Sequence, residues 1–357
     1  MRCSEFSHAA SDPARPTRSA RFLLWCIRKQ AARQQKKNAD QPPAIPLSPD
    51  DQLRVREAFL ARLRKVTDSP SFIPCLSSLQ VRRVISLKVP GANGMLRARL
   101  YIPHGRVRGA VLFLHGGGFV HCGLTSHHGI CCRLARSSGA AVLMPEYRLA
   151  PEHPFPAAVE DVQAVLRWLA EQSRHYWGGD VAVAGDSAGG NLAAVLAQQA
   201  KKGGLPRPVL QLLYYPTLYG DDISHSHEHY GEGHFLSQYA LRWYGAQYLA
   251  HKENWTDLRF APGFAQDLTG LAPAVIMTAQ CDPLRDDGAR YAQALRAAGV
   301  PVAYACYSGA LHGFLNFYAV MPPGKRALRA GGKMLRRAFA GALREQGGIH
   351  PETPGQT

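Results

Sequence analysis

The amino-acid sequence predicts an α/β protein with a mostly parallel central sheet of about eight strands, helices on both faces and a helical cap. Two observations support this prediction. Strand-like and helix-like patterns alternate along most of the 357 residues, and such alternation is typical of a parallel sheet. In addition, an apolar run at 181–185 leads through a tight turn into a helix-forming run at 188–201, as strand–turn–helix units in such sheets do.

The two ends of the chain differ in composition from its middle. Residues 1–50 are rich in Arg, Ser, Pro and Gln, and we expect a basic, disordered N-terminal extension there. The composition of residues 1–37 also resembles an organelle presequence. Residues 51–345 are expected to form the α/β domain, and residues 346–357 a short tail.

The net charge of +16 is concentrated at these ends. Residues 1–40 hold nine Lys and Arg against three Asp and Glu, which is +6, and residues 321–357 hold seven against two, which is +5. The long middle part carries the small remainder, which is not the pattern of a basic groove. We therefore expect solvated ends and no nucleic-acid partner, with contact between the basic N-terminus and an anionic membrane surface left open.

The cysteines and the apolar runs indicate in which cellular compartment the protein is expected. The eight cysteines show no C-x-x-C pair and no regular framework, which favours reduced thiols and a cytoplasmic protein. The apolar stretch at 22–27 is too short for a signal-peptide core, and no apolar run approaches the roughly 18 residues that cross a bilayer. The sequence is compatible with a homodimer but does not specify one.

The first predicted element of the domain is a helix that begins after Ser48, where a capping residue precedes Pro49 and two acids. Two strands follow, joined by a Gly- and Asn-containing turn at 91–94. The strand patterns lie at 80–90, 95–102, 109–114, 140–145, 181–185, 209–215, 274–279 and 302–307. The helix patterns between them lie at about 126–137, 156–172, 188–201, 284–298 and 325–344.

One interval interrupts the alternation. Residues 216–260 have a helical pattern, no strand pattern and many aromatic residues. Together with the helical stretch at 51–75, they are expected to form a cap over the strand ends. Most of the aromatic side chains should pack the cap onto the sheet, and a subset should narrow a pocket below it. They are Tyr219, Tyr230, Phe235, Tyr239, Trp243, Tyr244 and Tyr248.

The turn after the strand at 181–185 carries a nucleophile motif. It reads G-D-S-A-G over residues 185–189 and stands between a strand and a helix, as a nucleophile elbow requires. Such a turn places the Ser187 hydroxyl at the head of a helix, whose dipole favours a developing oxyanion. On this motif alone, a glycine-rich turn with a bystander serine is an equally good interpretation.

A second motif, His115 followed by Gly116, Gly117 and Gly118, comes after the third strand pattern. Glycines let backbone N–H groups approach a ligand closely. Two of these groups, together with the N–H of Ala188, would make an oxyanion hole with three donors. We expect His115 to fix the loop through its ring nitrogens rather than to take part in catalysis.

A serine nucleophile needs a base and an acid that orients the base, and on such sheets the three follow the strands in the order Ser, Asp or Glu, His. Asp282 follows the seventh strand pattern, and His312 lies on the loop after the eighth. This topology favours Asp282 and His312. Asp286 and Asp287 are rivals for the acid, but they lie further from the strand end, inside the next helix.

Five motifs occur in one recognisable order. They are HGGG at 115–118, YRLAPEHPFPAA at 147–158, GDSAGG at 185–190, DPLRD at 282–286 and LHGF at 311–314. By these motifs the chain resembles the hormone-sensitive-lipase-like carboxylesterases, a branch of the α/β-hydrolase superfamily, over about residues 50–345. It departs from their pattern at Gln280 and Cys281, where these enzymes more often carry an acidic and an aromatic residue.

The resemblance implies the α/β-hydrolase fold and a serine carboxylesterase that needs no metal and no cofactor. The implied catalytic residues are Ser187 as nucleophile, His312 as base and Asp282 as orienting acid. The implied oxyanion-hole donors are the N–H groups of Gly117, Gly118 and Ala188.

Supporting roles are implied as well. Asp186 is expected to brace the glycine loop, with His115 and Gly116 as further parts of the motif. Arg148 and Glu152 are expected to be scaffold residues.

The expected substrates are small-molecule esters with short to medium acyl chains. Two alternatives stay open. The same scaffold could hydrolyse an amide or a formamide, because the catalytic residues do not dictate the leaving group. The chain could also be a non-catalytic ligand-binding relative, although such proteins normally lack one of the three catalytic residues.

One competing site lies in the histidine-rich segment at 224–234. In an extended chain His225, His227 and His229 would share one side and could bind zinc or nickel. No strand pattern supports that conformation, so we favour a solvated polar segment and expect no metal.

Overall fold

The computed structural model of the chain describes residues 15–39, 49–68 and 76–341. These residues contain one eight-stranded sheet. Its strands are Arg83–Gly91 (β1), Gly94–Ile102 (β2), Ala110–Leu114 (β3), Ala141–Pro145 (β4), Val181–Asp186 (β5), Gln211–Tyr214 (β6), Ala274–Cys281 (β7) and Val302–Leu311 (β8).

The strand order in space is β1-β2-β4-β3-β5-β6-β7-β8. β2 pairs antiparallel with β1 and with β4, whereas the other pairings are parallel. The central strand β3 reads Ala-Val-Leu-Phe-Leu and is buried along its whole length, as a parallel strand covered on both faces must be. The predicted α/β sheet is therefore confirmed, and the carboxyl ends of its parallel strands meet at one edge.

Helices cover both faces of this sheet. The α-helices are Arg18–Ala39 (α1), Pro49–Thr67 (α2), His128–Ser138 (α3), Ala157–Tyr176 (α4), Ala188–Lys201 (α5), His225–Tyr230 (α6), Gln238–Tyr248 (α7), Arg285–Ala297 (α8) and Pro322–Phe339 (α9). One buried apolar cluster joins the sheet to α4, α5 and α8. A second cluster joins the opposite face to α1, α3 and α9.

The last helix begins earlier than the sequence pattern predicts. The pattern predicts a start at residue 325, but α9 begins at Pro322, with proline in its first turn. Proline fits that turn because the first N–H groups of a helix have no partner within the helix. The predicted tail, residues 346–357, lies outside the described residues.

The N-terminal extension requires a correction. The sequence predicts disorder over residues 1–50, yet α1 forms within that range. Ala20 and Leu24 are buried against the second cluster, and the N–H of Thr17 donates to the Gly309 carbonyl at the end of the sheet. Burial on one helix face thus stabilises a segment whose polar composition suggested disorder. Residues 1–14 and 40–48 of the predicted extension lie outside the described residues.

Both predicted cap segments contain helices in the part of the chain that the structure describes, and the second also contains loops and turns. α2 falls in the first, whose residues 69–75 lie outside the described part of the chain. α6, α7 and a short 3₁₀ helix at Lys252–Thr256 fall in the second, and no strand of the sheet does. Among the described residues, no helix combines the length and the apolar character needed to span a membrane.

Candidate active site

The predicted nucleophile lies at a strained turn between β5 and α5. Ser187, the residue that precedes the helix, has φ 54° and ψ −119°. Residues other than glycine rarely adopt this backbone conformation. A side chain on Gly185 would overlap the Gly189 carbonyl, and one on Gly189 would overlap the Leu114 carbonyl. The two glycines are therefore required by close backbone packing, and the turn projects Ser187 out of the sheet edge.

Ser187, His312 and Asp282 form a continuous hydrogen-bonded chain. The Ser187 Oγ lies 2.9 Å from His312 Nε2, and His312 Nδ1 lies 2.8 Å from Asp282 Oδ2. Asp282 is fully buried, and its other oxygen accepts the N–H of Leu284 at 2.9 Å. A proton on Nδ1 of His312 would bind Asp282 and leave Nε2 to accept the serine proton.

The rival acids are engaged elsewhere. Asp286 accepts the N–H of Ser226 at 2.9 Å and pairs with Arg285 at 2.7 Å. Asp287 accepts the N–H groups of the 218–219 backbone, and burial raises its pKa to about 7. Of the three acids, the structure therefore brings only Asp282 to His312.

The glycine loop after β3 faces the same space. Gly117 and Gly118 have φ values of +117° and +59°, so both positions favour glycine. Within the described part of the chain, their N–H groups donate no hydrogen bond. Both glycines line a cavity together with Ser187, Ala188 and His312. The three residues predicted to supply the oxyanion-hole donors thus line the same cavity as Ser187.

Asp186 ties the glycine loop to the nucleophile turn. Its Oδ1 accepts the N–H of Gly116 at 2.9 Å and lies 3.1 Å from His127 Nε2. Burial alone would raise the pKa of Asp186, but the His127 ring and the Gly116 N–H favour the carboxylate and hold the pKa below its ordinary value. His127 was not singled out from the sequence, where it is one of 15 histidines without a motif.

His115 contacts the loop rather than the serine. Its Nδ1 lies 2.8 Å from the Gly116 carbonyl oxygen, and its ring stacks on Tyr147 at a centroid distance of 4.4 Å. Burial, with a further effect of His127, lowers the pKa of His115 to about 4. The ring is therefore neutral at pH 7 and lies within the packing that supports the loop.

The two predicted scaffold residues both form ion pairs. Arg148 pairs with the buried Asp161 at 2.9 Å, and Glu152 pairs with Arg64 of α2 at 2.7 Å. The first pair connects the loop that follows β4 to α4, and the second connects the same loop to α2. Neither pair contacts the catalytic candidates.

Gln280 and Cys281, the departure from the family pattern, are accommodated by the last two strands. The Gln280 side-chain oxygen accepts the N–H of Gly309 at 2.8 Å and the Ser308 hydroxyl at 3.0 Å. Cys281 is buried and lies opposite Leu311 after a register irregularity in the β7–β8 pair. The strand ends that precede Asp282 and His312 are thus held together at this point.

The cavity above Ser187 has a volume of about 790 Å³. α2 contributes Leu63 and Val66 to its wall, and the segment 216–260 contributes Phe235 and Tyr244. These two are the inward-facing subset of the aromatic residues named from the sequence. Of the others, Tyr219, Tyr230 and Tyr248 are buried in the core, Tyr239 is 79% exposed, and Trp243 packs edge-on against Phe59.

Both cap segments hold the loop at 117–126, a set of contacts that sequence reasoning missed. From α2, Arg64 Nε donates to the Val120 carbonyl at 2.9 Å, and Asp68, the residue after α2, accepts two backbone N–H groups at 125 and 126. From α7, the Tyr244 hydroxyl lies 2.9 Å from His121 Nε2. The Tyr244 ring also occupies the space that a side chain on Gly118 would need.

The histidine-rich segment is not extended. It forms the helix α6, so His225 and His229 share a face, while His227 points the other way. His227 Nδ1 lies 2.8 Å from the Ser224 hydroxyl, and His227 lines the cavity. The arrangement of three histidines on one side, considered from the sequence, is therefore wrong.

Comparisons with known proteins show what the whole chain is similar to. A family model described as the alpha/beta hydrolase fold matches residues 111–316. Esterase LipI of Mycobacterium tuberculosis is 40% identical over 84% of this chain and 93% of that protein. Ethyl acetate hydrolase of Pseudomonas putida is 35% identical over 78% of this chain and 87% of that protein. The solved structure of the Pyrobaculum calidifontis esterase matches with a TM-score of 0.74 and 36% identity, over 84% of this chain and 100% of that one.

Proposed function

Since the chain belongs to the hormone-sensitive-lipase-like carboxylesterases of the α/β-hydrolase superfamily, we propose that Ser187 is its nucleophile, His312 its general base and Asp282 the acid that orients the base. The chain is a serine hydrolase that cleaves carboxylic esters. The observation that supports the assignment is the hydrogen-bonded chain from Ser187 through His312 to Asp282, with distances of 2.9 and 2.8 Å.

The reaction follows from this geometry. Ser187 Oγ attacks the ester carbonyl carbon as His312 Nε2 takes its proton. The buried Asp282 stabilises the imidazolium that forms. His312 then returns the proton to the leaving alcohol, and an acyl-enzyme remains on Ser187. Water activated by the same histidine hydrolyses the acyl-enzyme.

The carbonyl oxygen becomes an oxyanion in each tetrahedral intermediate. We propose that the N–H groups of Gly117, Gly118 and Ala188 bind it. The α5 dipole adds to this because Ala188 is the first residue of that helix. Loss of a single such donor typically costs about a hundred- to thousandfold in rate.

Two substitutions test the catalytic assignment. Ser187→Ala should lower kcat at least about a thousandfold and abolish labelling by a fluorophosphonate, because the acyl acceptor is gone. Asp282→Asn should lower kcat by about 10⁴, because the histidine then takes the wrong tautomer. Asp286→Asn is the matched control and should lose far less activity.

Either of two results contradicts the assignment. One is a Ser187→Ala protein that keeps more than a few per cent of the esterase activity while folded. The other is an Asp286→Asn protein that loses more activity than Asp282→Asn.

We also propose that the preferred substrates are esters of short- to medium-chain acids rather than amides. The support for the acyl length is the wall of bulky side chains above Ser187, which includes Phe235, Tyr244 and Trp255 and should limit the length of acyl chain that fits. The support for esters over amides is that the similar proteins are named esterases and carboxylesterases. Matched p-nitrophenyl esters and p-nitroanilides separate the two chemistries. A kcat/KM for the anilides equal to that for the esters would favour the amidase alternative.

The N-terminal helix supports a further proposal, contact with an anionic membrane surface. α1 contains seven Lys and Arg and no Asp or Glu. It exposes Phe22, Trp25 and Ile27 to solvent, and such mixtures of basic and aromatic residues bind the interface of anionic bilayers. Sedimentation with phosphatidylserine vesicles should be lost when residues 1–39 are deleted, and should weaken with salt. Equal sedimentation with zwitterionic vesicles would contradict the proposal.

We propose a cytoplasmic location because of the state of the cysteine thiols. No disulfide joins the six cysteines of the described residues, and three of these cysteines, Cys131, Cys132 and Cys281, are buried. Such thiols persist in a reducing compartment. Fractionation of cells that express the tagged chain tests this location.

A homodimer is a separate proposal, and sedimentation equilibrium of the purified chain tests it by measuring the molecular mass in solution.

A further inference from the structure

The outer face of α6 brings three metal-ligating side chains together. His225, Glu228 and His229 are exposed, and one ligand atom of each lies within 4.8 Å of the others. They stand at positions i, i+3 and i+4 of one helix, which project from the same face. The ring centroids of His225 and His229 are 3.8 Å apart. One ion could therefore reach all three.

The ring of His229 is already oriented for this role. Its Nδ1 lies 3.2 Å from the His225 carbonyl oxygen, so Nδ1 carries the proton that this acceptor needs. The lone pair is then on Nε2, on the outer side of the ring. Histidines that ligate metals in proteins commonly donate their other N–H to a carbonyl in this way, which sets the tautomer.

We propose that His225, Glu228 and His229 form a binding site for a divalent transition-metal ion, with Zn²⁺ as the reference ion. Two imidazoles and one carboxylate suit zinc, nickel and copper, whereas magnesium and calcium prefer oxygen ligands. Three protein ligands leave coordination positions for water. The site is separate from the catalytic candidates and goes beyond the esterase activity.

The inner face of the same helix is hydrogen-bonded to the segment at 283–286, which directly follows Asp282. The Ser226 hydroxyl donates to the Pro283 carbonyl at 2.6 Å, and the Ser226 N–H donates to Asp286. His227, on that inner face, lines the cavity. An ion that bridges the turn from His225 to His229 would therefore stabilise a short helix that forms part of the cavity wall. Binding should raise the melting temperature, because it favours the folded helix.

Zinc titration of the full chain by calorimetry tests the site. The variants are His225→Gln with His229→Gln, and His104→Gln as the matched control, since His104 is an exposed histidine on the loop after β2. The wild type and the control should bind Zn²⁺ with equal affinity at this site. The double variant should bind at least about tenfold more weakly. Mg²⁺ should not bind at this site.

Thermal unfolding provides a second readout that does not depend on activity. Saturating Zn²⁺ should raise the melting temperature of the wild type by about 2 °C and should not raise that of the double variant. Melting curves without metal show whether the double variant is folded. The proposal is overturned if the wild type binds no zinc, or if the double variant binds it as tightly as the wild type does.

Discussion

At the scale of single residues, different local environments give three acids near the end of β7 different properties. Asp282 is hydrogen-bonded to His312. For Asp286, Arg285 outweighs the effect of burial and the pKa is lowered. For Asp287, desolvation dominates and the pKa is raised from 3.8 to about 7. The three carboxylates lie within six residues of one another, so their environment, not their type, sets their chemistry.

The raised pKa of Asp287 predicts a pH dependence of stability. Between about pH 4 and pH 7 the folded state keeps this proton, while the unfolded state has lost it. The free energy of unfolding should therefore fall as the pH rises through this window, by about 1 kcal/mol per pH unit from this group, and the loss should level off above pH 7. Asp287→Asn should remove this slope in urea unfolding experiments.

The neighbouring acid supplies the control for that measurement. Asp286→Asn should retain the wild-type slope between about pH 5 and pH 7, because a carboxyl with a lowered pKa is ionised in the folded state and almost fully ionised in the unfolded state over this range. An Asp287→Asn protein with the same slope as the wild type would show that Asp287 does not titrate in this window.

Tyr244 is predicted to position the oxyanion loop. Tyr244→Phe removes the hydrogen bond to His121, and Tyr244→Ala also removes the ring that packs on Gly118. Loss of one part-buried hydrogen bond corresponds to about fivefold to tenfold in kcat if it acts on the transition state, and Tyr244→Ala should cost more. KM should change less than kcat, because the loop donors act on the oxyanion and not on the bound ester.

Tyr239 is the matched control for this effect, because it lies on the same helix and is 79% exposed. Tyr239→Phe should leave kcat and KM unchanged. If Tyr244→Phe raises KM while kcat stays constant, Tyr244 contributes to substrate binding and does not position the loop.

At the scale of elements, α1 shows how a few buried contacts fold a polar segment. In residues 18–29, the part of α1 whose side chains the structure describes, one side is covered, with Ala20 and Leu24 buried and Phe22 63% exposed. The helix contacts β8, the last strand of the sheet. Its position at the sheet end is consistent with covering an edge that would otherwise be open.

This packing predicts a difference between two apolar substitutions in α1. Leu24→Ala should lower the free energy of unfolding by about 2 kcal/mol. Phe22→Ala should change it by less than about 0.5 kcal/mol, because Phe22 is exposed. Chemical denaturation of the full chain measures both. Equal effects would show that α1 does not dock on β8 through Leu24.

At the scale of the whole molecule, the cavity exists because elements distant in the chain close over one sheet edge. Its floor comes from the ends of β3, β5 and β8, and its walls come from α2 and the segment 216–260. The volume of about 790 Å³ lies in the range of small-molecule sites. We therefore expect the walls of this cavity, rather than Ser187, to limit the length of the substrate.

The walls of this cavity predict an optimum at short to medium acyl chains. Each added methylene gains about 0.8 kcal/mol only while apolar wall remains to cover it. A kcat/KM series from acetyl to palmitoyl p-nitrophenyl esters should pass through a maximum before palmitoyl. Phe235→Ala should shift the maximum to longer chains, and Tyr239→Ala should not. A maximum at palmitoyl in the wild type would contradict the claim that the cavity walls limit the acyl chain.

The fold and the positions of the main site residues could be predicted from local patterns. A parallel sheet needs strand–helix alternation, and the elbow at Ser187 needs glycines where backbones are in contact. Both features can therefore be recognised as local patterns in the sequence. The order of Ser187, Asp282 and His312 follows from a topological rule, which is why these residues could be named before their distances were known.

Other features depend on contacts between distant parts of the chain. Asp68 binds a backbone group 57 residues away, and Tyr244 binds a side chain 123 residues away. No periodicity or motif records such pairs. The conformation of α6 belongs to the same class, because six residues make a marginal helix and Ser226 is anchored to Pro283 and Asp286 from another element. Local sequence thus specifies strands and tight turns, while burial and long-range hydrogen bonds select the fold of short polar segments.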